Sequence, residues 1–300
     1  MEKENPKKET FVSQQAWKQS LPSLLEECVR RWSLTLLPAF NQSVNYVTPV
    51  LRADGTPAIL KLCVPGIQMV TEIETLRLYG GKGMVRALEV DAERGILLLE
   101  QVQPGTPLTT LANEAQDAEA TRVLAEVMRG MRCPAPADHP FPTIEDWGKG
   151  FQKLRHRFEG GTGPLSAPFV AQAEALFQDL LVSASEPVLL HGDLHHDNIL
   201  YSETQGWIAI DPQGVVGEPA YEVGAMLRNL WEDRHLITDP KRLLERRIAQ
   251  LSEELAIERE RVWGWGVAQA VLSAWWCIED EWDCWEGAMA LAELLASIPA

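Results

Sequence analysis

The sequence lacks any apolar run that approaches the roughly 18–20 residues a membrane-spanning helix needs. Its first residues are charged and contain no apolar segment of the signal-peptide type. Cysteine is scarce, since 5 scattered residues occur without a CxxC pair, which is typical of reduced thiols in a cytosol. We therefore expect a cytoplasmic protein with no membrane contact.

Positive charge is also scarce, because 27 Lys and Arg stand against 43 Asp and Glu, for a net charge of −16. This balance argues against a nucleic-acid backbone as the main partner. It favours a cationic small ligand only weakly, since acidic cytosolic proteins are common. A chain of 300 residues can bury a sizeable core in one or two domains, and nothing in it indicates an oligomeric state.

A polar loop follows the apolar run 188–190, and a second apolar run, 207–210, ends at Asp211. The loop carries Asp193 and, five positions later, Asn198. One carboxylate that orients a hydroxyl, plus an Asn/Asp pair of oxygen ligands, is the set that magnesium-dependent phosphoryl transfer requires. Asp193 alone could be an ordinary turn residue, but the combined spacing favours the catalytic interpretation.

The adjacent His195 and His196 suggest a zinc site at first sight. Neighbouring side chains in an extended loop point in different directions, and no Cys or Glu follows at zinc-finger spacing. We interpret the pair as part of the loop scaffold.

The segment His191-Gly192-Asp193 with Asn198 and Ile210-Asp211 resembles the catalytic core of the aminoglycoside phosphotransferase branch of the kinase-like fold. The resemblance extends over roughly residues 40 to 290, and further motifs look like the streptomycin 6-phosphotransferase and hydroxyurea phosphotransferase subfamily. These further motifs are Asp54-Gly55-Thr56-Pro57-Ala58-Ile59-Leu60-Lys61, Gly81-Lys82-Gly83-Met84-Val85-Arg86 and Ile210-Asp211-Pro212.

The resemblance implies an α+β protein with the two-lobed protein-kinase-like fold. Residues 1–103 are expected to form a small nucleotide-binding lobe with an antiparallel sheet, of which 1–10 read as a disordered tail. Residues 104–300 are expected to form a mostly helical lobe that carries catalysis and acceptor binding. ATP is then expected between the two lobes, together with Mg²⁺.

The resemblance also implies roles for individual residues. Asp193 is the catalytic base, and Asn198 and Asp211 are the magnesium ligands. Lys61 holds the α- and β-phosphates and is itself held by Glu72, with Glu74 as the second choice. Glu222 either braces the catalytic loop, as the resemblance implies, or is a helix N-terminal residue favoured by the helix dipole. Further nucleotide contacts are Ser43 over the phosphates and Glu100 and Val102 at the adenine hinge. The acceptor-side residues are Glu218, Glu279, Asp280 and Asp283.

The function implied is transfer of the ATP γ-phosphate to a hydroxyl of an aminoglycoside, most like streptomycin at its 6-hydroxyl. Two alternatives stay open: a kinase of hydroxyurea, an amino sugar or another metabolite with the same machinery, and an inactive nucleotide-binding module. The acidic cluster at residues 279–286 is either a cation-binding surface or a solvated helix end.

Local patterns predict several elements directly. Ser20-Leu21-Pro22 indicates a helix start, Asp54-Gly55 a hairpin turn, and Gly80-Gly81 the end of a helix over 70–79. Further helices are predicted near 109–131, 144–159 and 168–184, and a short hairpin is predicted to turn at Thr204-Gln205-Gly206. Most of the six tryptophans between Trp263 and Trp285 are expected in the core.

Overall fold

The computed structural model describes residues 14–40, 45–228 and 237–299. The described residues form two compact units. One contains those up to Gly81 together with Val85–Gln101, and the other contains Lys82–Met84 and the residues from Val102 onward. The domain boundary predicted between 103 and 104 stays a prediction, and the predicted tail at 1–10 lies outside the described residues.

The first unit is built on an antiparallel sheet. Its strands are β1 (Thr35–Leu36), β2 (Tyr46–Leu51), β3 (Pro57–Leu62), β4 (Ala87–Asp91) and β5 (Ile96–Glu100), in the spatial order β1-β2-β3-β5-β4. Asp54 closes the turn between β2 and β3, because its Oδ1 accepts a hydrogen bond from the backbone N–H of Thr56 at 2.9 Å. The predicted hairpin turn is therefore confirmed.

Helix α1 (Gln14–Trp32) packs on this sheet and brings Trp17 and Cys28 into a core shared with Leu60 and Leu62 of β3. The predicted helix start at Ser20-Leu21-Pro22 is wrong, because Pro22 lies inside the helix. Proline removes one intrahelical donor, but a start at this proline would withdraw Trp17 from the core. Burial of the apolar face outweighs the local signal.

Helix α2 (Ile67–Tyr79) follows β3 and ends at Gly80 in the left-handed conformation, as predicted. It buries Met69, Ile73 and Leu76. Glu72 belongs to the same buried face, and the site described below depends on that placement.

The second unit contains two small sheets. The first is formed by β6 (Pro104–Pro107), β9 (Ile199–Ser202) and β10 (Gly206–Ala209), with β9 in the middle. The second is formed by β7 (Cys133–Pro134), β8 (Val188–Leu190) and β11 (Val215–Gly217), with β8 in the middle. Strands β9 and β10 pair in register from Ile199 with Ala209 to Ser202 with Gly206, which confirms the predicted short hairpin.

The rest of the described part of this unit is mainly helical. Its helices are α3 (Asp117–Gly130), α4 (Ile144–Arg157), α5 (Ala167–Val182), α6 (Val223–Arg228), α7 (Pro240–Leu255), α8 (Arg259–Glu279) and α9 (Trp285–Ala296). The helix predicted over 109–131 is shorter than expected, since a 3₁₀ turn at Leu108–Leu111 precedes α3. Within the described ranges, no helix combines the length and apolar character that a membrane crossing requires.

Aromatic residues form the centre of the second unit. Trp265 of α8 is fully buried and meets Phe177 of α5 edge-to-face, with ring centroids 5.1 Å apart. Tyr221 meets the same tryptophan at 4.9 Å. Trp275 is buried as well, whereas Trp282 is 56% exposed. Trp263, Trp276 and Trp285 are only half-buried, so the predicted core role is confirmed for Trp265 and Trp275 alone.

Candidate active site

The loop from His191 to Asn198, here called the catalytic loop, begins where β8 ends. The backbone carbonyl of His191 accepts hydrogen bonds from Gln213 N–H at 2.8 Å and Gly214 N–H at 3.1 Å. The His191 side chain donates from Nε2 to the Ile210 carbonyl at 2.7 Å, and its Nδ1 accepts from Asp193 N–H at 3.2 Å. Burial lowers the pKa of His191 to about 4, so the ring is neutral and keeps these two bonds at neutral pH.

Gly192 lies at a close approach within the catalytic loop. Its φ is +86°, and a Cβ added there would come within 2.8 Å of Cη2 of Trp147. Only glycine fits both the left-handed backbone and the space. The turn that presents Asp193 is therefore fixed by packing against Trp147.

Glu222, which lies 30 residues after Gly192, supports the same turn. Its buried Oε1 accepts from Gly192 N–H at 3.0 Å and from Leu194 N–H at 3.4 Å. Burial raises the pKa of Glu222 to about 7, although these backbone bonds oppose the shift. The structure thus contains the brace that the sequence predicted for Glu222.

Asp193 is a partly buried carboxylate with cationic neighbours. Its Oδ1 accepts from Nη2 of Arg228 at 2.7 Å, and its Oδ2 lies 3.5 Å from Nε2 of His195. Burial alone would raise the pKa of Asp193, but the interactions with His195 and Arg228 outweigh it and hold the pKa well below its usual range. The carboxylate is therefore ionised and able to accept a hydrogen bond from a hydroxyl.

His195 is the cationic neighbour on the loop itself. Burial opposes its charged form, but hydrogen bonds with Asp193 and Asp197 raise the pKa of His195 to about 9. His195 Nδ1 lies 3.5 Å from Oδ2 of Asp197 as well. These contacts agree with the interpretation of His195 as loop scaffold. Among the described residues, no group of three or more His, Cys, Asp and Glu side chains is arranged to hold a metal ion.

Asn198 and Asp211 are brought together by the β9–β10 hairpin. The Ile210 N–H donates to the Asn198 carbonyl at 2.9 Å. Asp211 follows Ile210 directly, so this bond brings its backbone close to that of Asn198. The Asn198 side chain donates from Nδ2 to the Asp193 carbonyl at 2.9 Å. Since the amide nitrogen of Asn198 donates this hydrogen bond, its amide oxygen is the atom that would bind a cation. An amide oxygen and a carboxylate are hard donors that suit Mg²⁺ when phosphates complete the shell.

Asp211 has an unusual backbone conformation, with φ of +57°. Non-glycine residues rarely adopt this left-handed region, although Asp and Asn tolerate it better than most. The chain turns at Asp211 directly after the hairpin, and this turn allows the bonds from Gln213 and Gly214 to His191.

Lys61 and Glu72 form a buried ion pair in the first unit. Lys61 Nζ lies 2.7 Å from Oε1 of Glu72, and the two side chains are 4% and 10% exposed. A lysine in an apolar strand needs such a partner because an isolated buried charge is costly. Glu74, the second choice, lies at the surface and pairs with Arg77 at 2.5 Å. The structure thus selects Glu72 as the partner.

The other predicted nucleotide contacts are placed as follows. Glu100 ends β5, and its Oε1 accepts from Arg86 N–H at 2.9 Å. Val102 is the residue at which the chain re-enters the second unit. Ser43 lies outside the described residues.

The predicted acceptor-side residues have different environments. Glu218 is buried, and its carboxylate accepts from Arg261 Nε at 2.8–2.9 Å and from Trp265 Nε1 at 2.5 Å. These donors engage the carboxylate within the core, and the acceptor-side role of Glu218 stays a prediction. Glu279 forms an exposed pair with Lys153 at 2.9 Å, and Asp280 and Asp283 are exposed near the α8–α9 connection.

A disulfide crosses this connection, because Cys277 is bonded to Cys284. The expectation that all five thiols are reduced is therefore wrong for this pair, while Cys28, Cys63 and Cys133 take part in no disulfide. Sequence spacing gave no signal, since the two residues lie seven positions apart without a recognised motif. The helix end and the following turn bring their Cα atoms within 5.6 Å.

Sequence reasoning also missed Arg228 and Trp147. Trp147 packs against the catalytic loop at Gly192 and meets Trp276 of α8 edge-to-face at 5.8 Å. Arg228 is the last residue of α6 and the ion-pair partner of Asp193. A helical arginine carries no local signal of such a contact. Only the folded position of α6 reveals it.

Comparison with solved structures defines the class of protein first. Choline kinase LicA from Streptococcus pneumoniae superposes with a TM-score of 0.63 over 93% of this chain and 99% of its own, at 14% identity. Aminoglycoside phosphotransferase APH(4)-Ia, in a ternary complex with ADP and hygromycin B, gives 0.61 over 94% and 99%, at 16% identity. At these identities the similarity concerns the fold alone, and the predicted α+β kinase-like fold is confirmed.

Sequence comparison then defines the family. The model of the aminoglycoside/hydroxyurea antibiotic resistance kinases matches residues 33–281. Streptomycin 6-kinase from Streptomyces griseus is 34% identical over 272 residues, covering 88% of this chain and 85% of its own. Hydroxyurea phosphotransferase from Kitasatospora aureofaciens is 32% identical over 287 residues, covering 92% and 79%. The chain belongs to the aminoglycoside/hydroxyurea antibiotic resistance kinase family, and it is a phosphotransferase.

Proposed function

We propose that this enzyme transfers the γ-phosphate of Mg²⁺-bound ATP to a hydroxyl of an aminoglycoside, most like the 6-hydroxyl of streptomycin. The observation that carries the proposal is the placement of Asp193, Asn198 and Asp211 in one loop and hairpin. The Asn198 side chain donates to the Asp193 carbonyl at 2.9 Å, and the Asn198 carbonyl accepts at 2.9 Å from Ile210, the residue before Asp211. This is the arrangement that phosphoryl transfer needs, since positioning and charge neutralisation supply most of the rate. Because ATP is a cytosolic metabolite, the activity belongs in the cytoplasm.

Each residue has a defined role in the proposal. Asp193 accepts the hydrogen bond of the attacking hydroxyl and takes its proton as the new O–P bond forms and the bond to the leaving ADP breaks. Asn198 and Asp211 would hold Mg²⁺, which would neutralise charge on the phosphates. Lys61, held by Glu72, binds the α- and β-phosphate oxygens. Glu100 and Val102 are proposed at the adenine, and Ser43 over the phosphates.

The acceptor is proposed to lie along α4 and α8 of the second unit. Trp147 packs on the catalytic loop, and Trp276 continues this aromatic contact to α8, which ends at Glu279. Aromatic faces and carboxylates both attract cationic groups. Glu279, Asp280 and Asp283 therefore suit a polycationic acceptor, and the net charge of −16 supports the same class. The streptomycin 6-kinase relatives support the choice of acceptor.

A second acceptor class is the alternative, because the hydroxyurea phosphotransferase relative is 32% identical to this chain and the streptomycin 6-kinase relative is 34% identical. Hydroxyurea, an amino sugar or another metabolite would use the same base and metal ligands. An inactive module is the least supported alternative, since Lys61, Asp193, Asn198 and Asp211 are all present.

The test is an ADP-release assay with ATP and magnesium. The panel is streptomycin, a 2-deoxystreptamine aminoglycoside, hydroxyurea and a simple amino sugar, with Asp193→Asn as the blank. We expect turnover on streptomycin and a product whose phosphorus NMR coupling identifies the 6-position. Turnover confined to hydroxyurea or the amino sugar would instead assign the second class. ATP binding without turnover on any acceptor would overturn the aminoglycoside proposal.

A further inference from the structure

Arg228 forms an ion pair with Asp193 but has no role in the function proposed above. We propose that Arg228 is a positioning residue for phosphoryl transfer: its guanidinium holds the Asp193 carboxylate in the orientation that receives the acceptor hydroxyl. The inference rests on the proposed function, because it assigns Arg228 to the same reaction. It acts through Asp193 and takes no part in bond making or breaking.

The contact itself is short and charge-assisted. Arg228 Nη2 lies 2.7 Å from Oδ1 of Asp193, and the two side chains are 24% and 28% exposed. A charge-assisted bond of this length is stronger than one between neutral groups. It restricts rotation of the carboxyl group about its last side-chain bond. The backbone carbonyl of Asp193 is held separately by Asn198, so main chain and side chain are both fixed.

The fold holds Arg228 in place through buried contacts of its own helix. The carbonyl of Met226, two residues earlier on α6, accepts from Nη1 of Arg247 at 3.1 Å. Arg247 is fully buried and forms an ion pair with Asp117 of α3, which is equally buried. The end of α6 is thus tied to α7 and, through α7, to α3.

The start of α6 is fixed as tightly. A Cβ added at Gly224 would come within 2.2 Å of Cδ of Gln269, and Gln269 donates from Nε2 to the Tyr221 carbonyl. Glu222, one residue before the helix, binds two backbone N–H groups of the catalytic loop. The segment from Glu222 to Arg228 therefore holds the catalytic loop at two points. Glu222 binds backbone N–H groups of the loop, and Arg228 binds the carboxylate of Asp193.

The consequence for the reaction concerns geometry. The acceptor oxygen must lie within hydrogen-bond reach of Asp193 and in line with the γ-phosphorus. With Oδ1 held by Arg228, the carboxylate presents one orientation instead of many. Loss of such a constraint typically costs on the order of 10²-fold in rate, because a displacement of about 1 Å already disrupts the reacting geometry.

The experiment compares Arg228→Ala and Arg228→Lys with the wild type. The readouts are kcat, the KM for acceptor, the Kd for Mg·ATP and the melting temperature. We expect Arg228→Ala to lose about 10²-fold in kcat, with the Kd for ATP and the melting temperature close to wild type. Arg228→Lys should recover part of the loss, since an ammonium restores the charge but not the planar guanidinium.

A second arm uses chemical rescue, a readout that a purely structural role would not move. Millimolar guanidinium added to Arg228→Ala should raise kcat with saturation, and equimolar methylammonium should raise it less. The matched control is Arg122→Ala, because Arg122 pairs with Glu119 and Glu126 on the surface of α3. Guanidinium should leave that variant and Asp193→Asn unchanged.

Two results would overturn the inference. One is a kcat for Arg228→Ala within threefold of wild type. The other is a lowered kcat that neither lysine nor guanidinium restores, which assigns Arg228 to the fold alone. Failure of the proposed function is seen separately, as absence of wild-type turnover on every acceptor. In that case background hydrolysis of ATP, with water as the acceptor, is measured on the same variants with the same expected ratios.

Discussion

The side-chain amide of Asn198 donates a 2.9 Å hydrogen bond to the backbone carbonyl of Asp193. The proposed metal ligand thereby holds the main chain of the proposed base. The Asn198 carbonyl in turn accepts from Ile210, the residue before Asp211. Two hydrogen bonds and the peptide bond from Ile210 to Asp211 thus connect the backbone positions of the three residues.

Replacement of the proposed base tests the mechanism. We expect Asp193→Asn to keep the fold, because the amide has the same shape and its oxygen still accepts from Arg228. The variant loses the proton acceptor, so kcat should fall by about 10²–10⁴-fold, the range of general base catalysis. ADP release measures the loss, and the Kd for ATP with the melting temperature serves as the control. Turnover equal to the wild type would contradict the assignment.

Two substitutions of Asp211, the proposed metal ligand, should separate the effect on metal binding from the effect of backbone strain. Asp211 has φ of +57°, where alanine is strained and glycine is not. We therefore expect Asp211→Gly to abolish the magnesium dependence of ATP binding without loss of folding, and Asp211→Ala to do so with an added stability cost of about 1 kcal/mol. Titration calorimetry with and without magnesium is the measurement. Magnesium-enhanced binding retained by the glycine variant would rule Asp211 out as a ligand.

The buried pair of the first unit gives a prediction with a matched surface control. Glu72→Ala breaks a buried ion pair by removing its carboxylate, which should cost about 3–5 kcal/mol in the free energy of unfolding and weaken ATP binding. Glu74→Ala, two residues away, removes only an exposed pair with Arg77 and should cost less than about 1 kcal/mol. Urea denaturation of both variants is decisive. Equal losses would show that burial of the Lys61–Glu72 pair has no energetic effect.

Glu222 predicts a pH dependence of stability. Burial raises its pKa from 4.5 to about 7, so the folded state binds a proton that the unfolded state releases. This contribution to stability is fully present below pH 4.5 and is lost as pH rises through about 7. Relative to Glu222→Gln, which does not titrate, the wild type should lose on the order of 3 kcal/mol between pH 4.5 and 8.

Urea unfolding of the wild type and Glu222→Gln at several pH values measures this difference, since other titrating groups contribute equally to both proteins. A constant difference between the two proteins across that range would contradict the raised pKa. The slope of the difference, and not its absolute size, carries the test.

The disulfide predicts a thiol count. Alkylation of the denatured, unreduced protein should modify three cysteines, and prior reduction should raise the number to five. Cys277→Ser with Cys284→Ser should lower stability by at most about 2–3 kcal/mol, because the closed loop is short. Intact-mass measurement gives the count. Five modified thiols without reductant would mean that the pair is reduced in the isolated protein.

Much of the fold could be predicted because its signals are local. The Asp54-Gly55 turn, the glycine end of α2 and the hairpin before Asp211 each depend on residues a few positions apart. The start of α1 could not, since Trp17 enters a core formed by residues far along the chain and this burial outweighs the proline signal at Pro22. Apolar burial of this kind has no local signature.

The sequence by itself was enough to propose the chemistry of the site. Asp193, Asn198 and Asp211 stand at a spacing that one loop and one hairpin bring together, so residue order was enough to indicate a base and two oxygen ligands. Only the tertiary structure decided which distant side chains meet. It brought Arg228 to Asp193 and Arg261 to Glu218. Such contacts depend on helix packing, and helix packing is set by the whole core and by no segment alone.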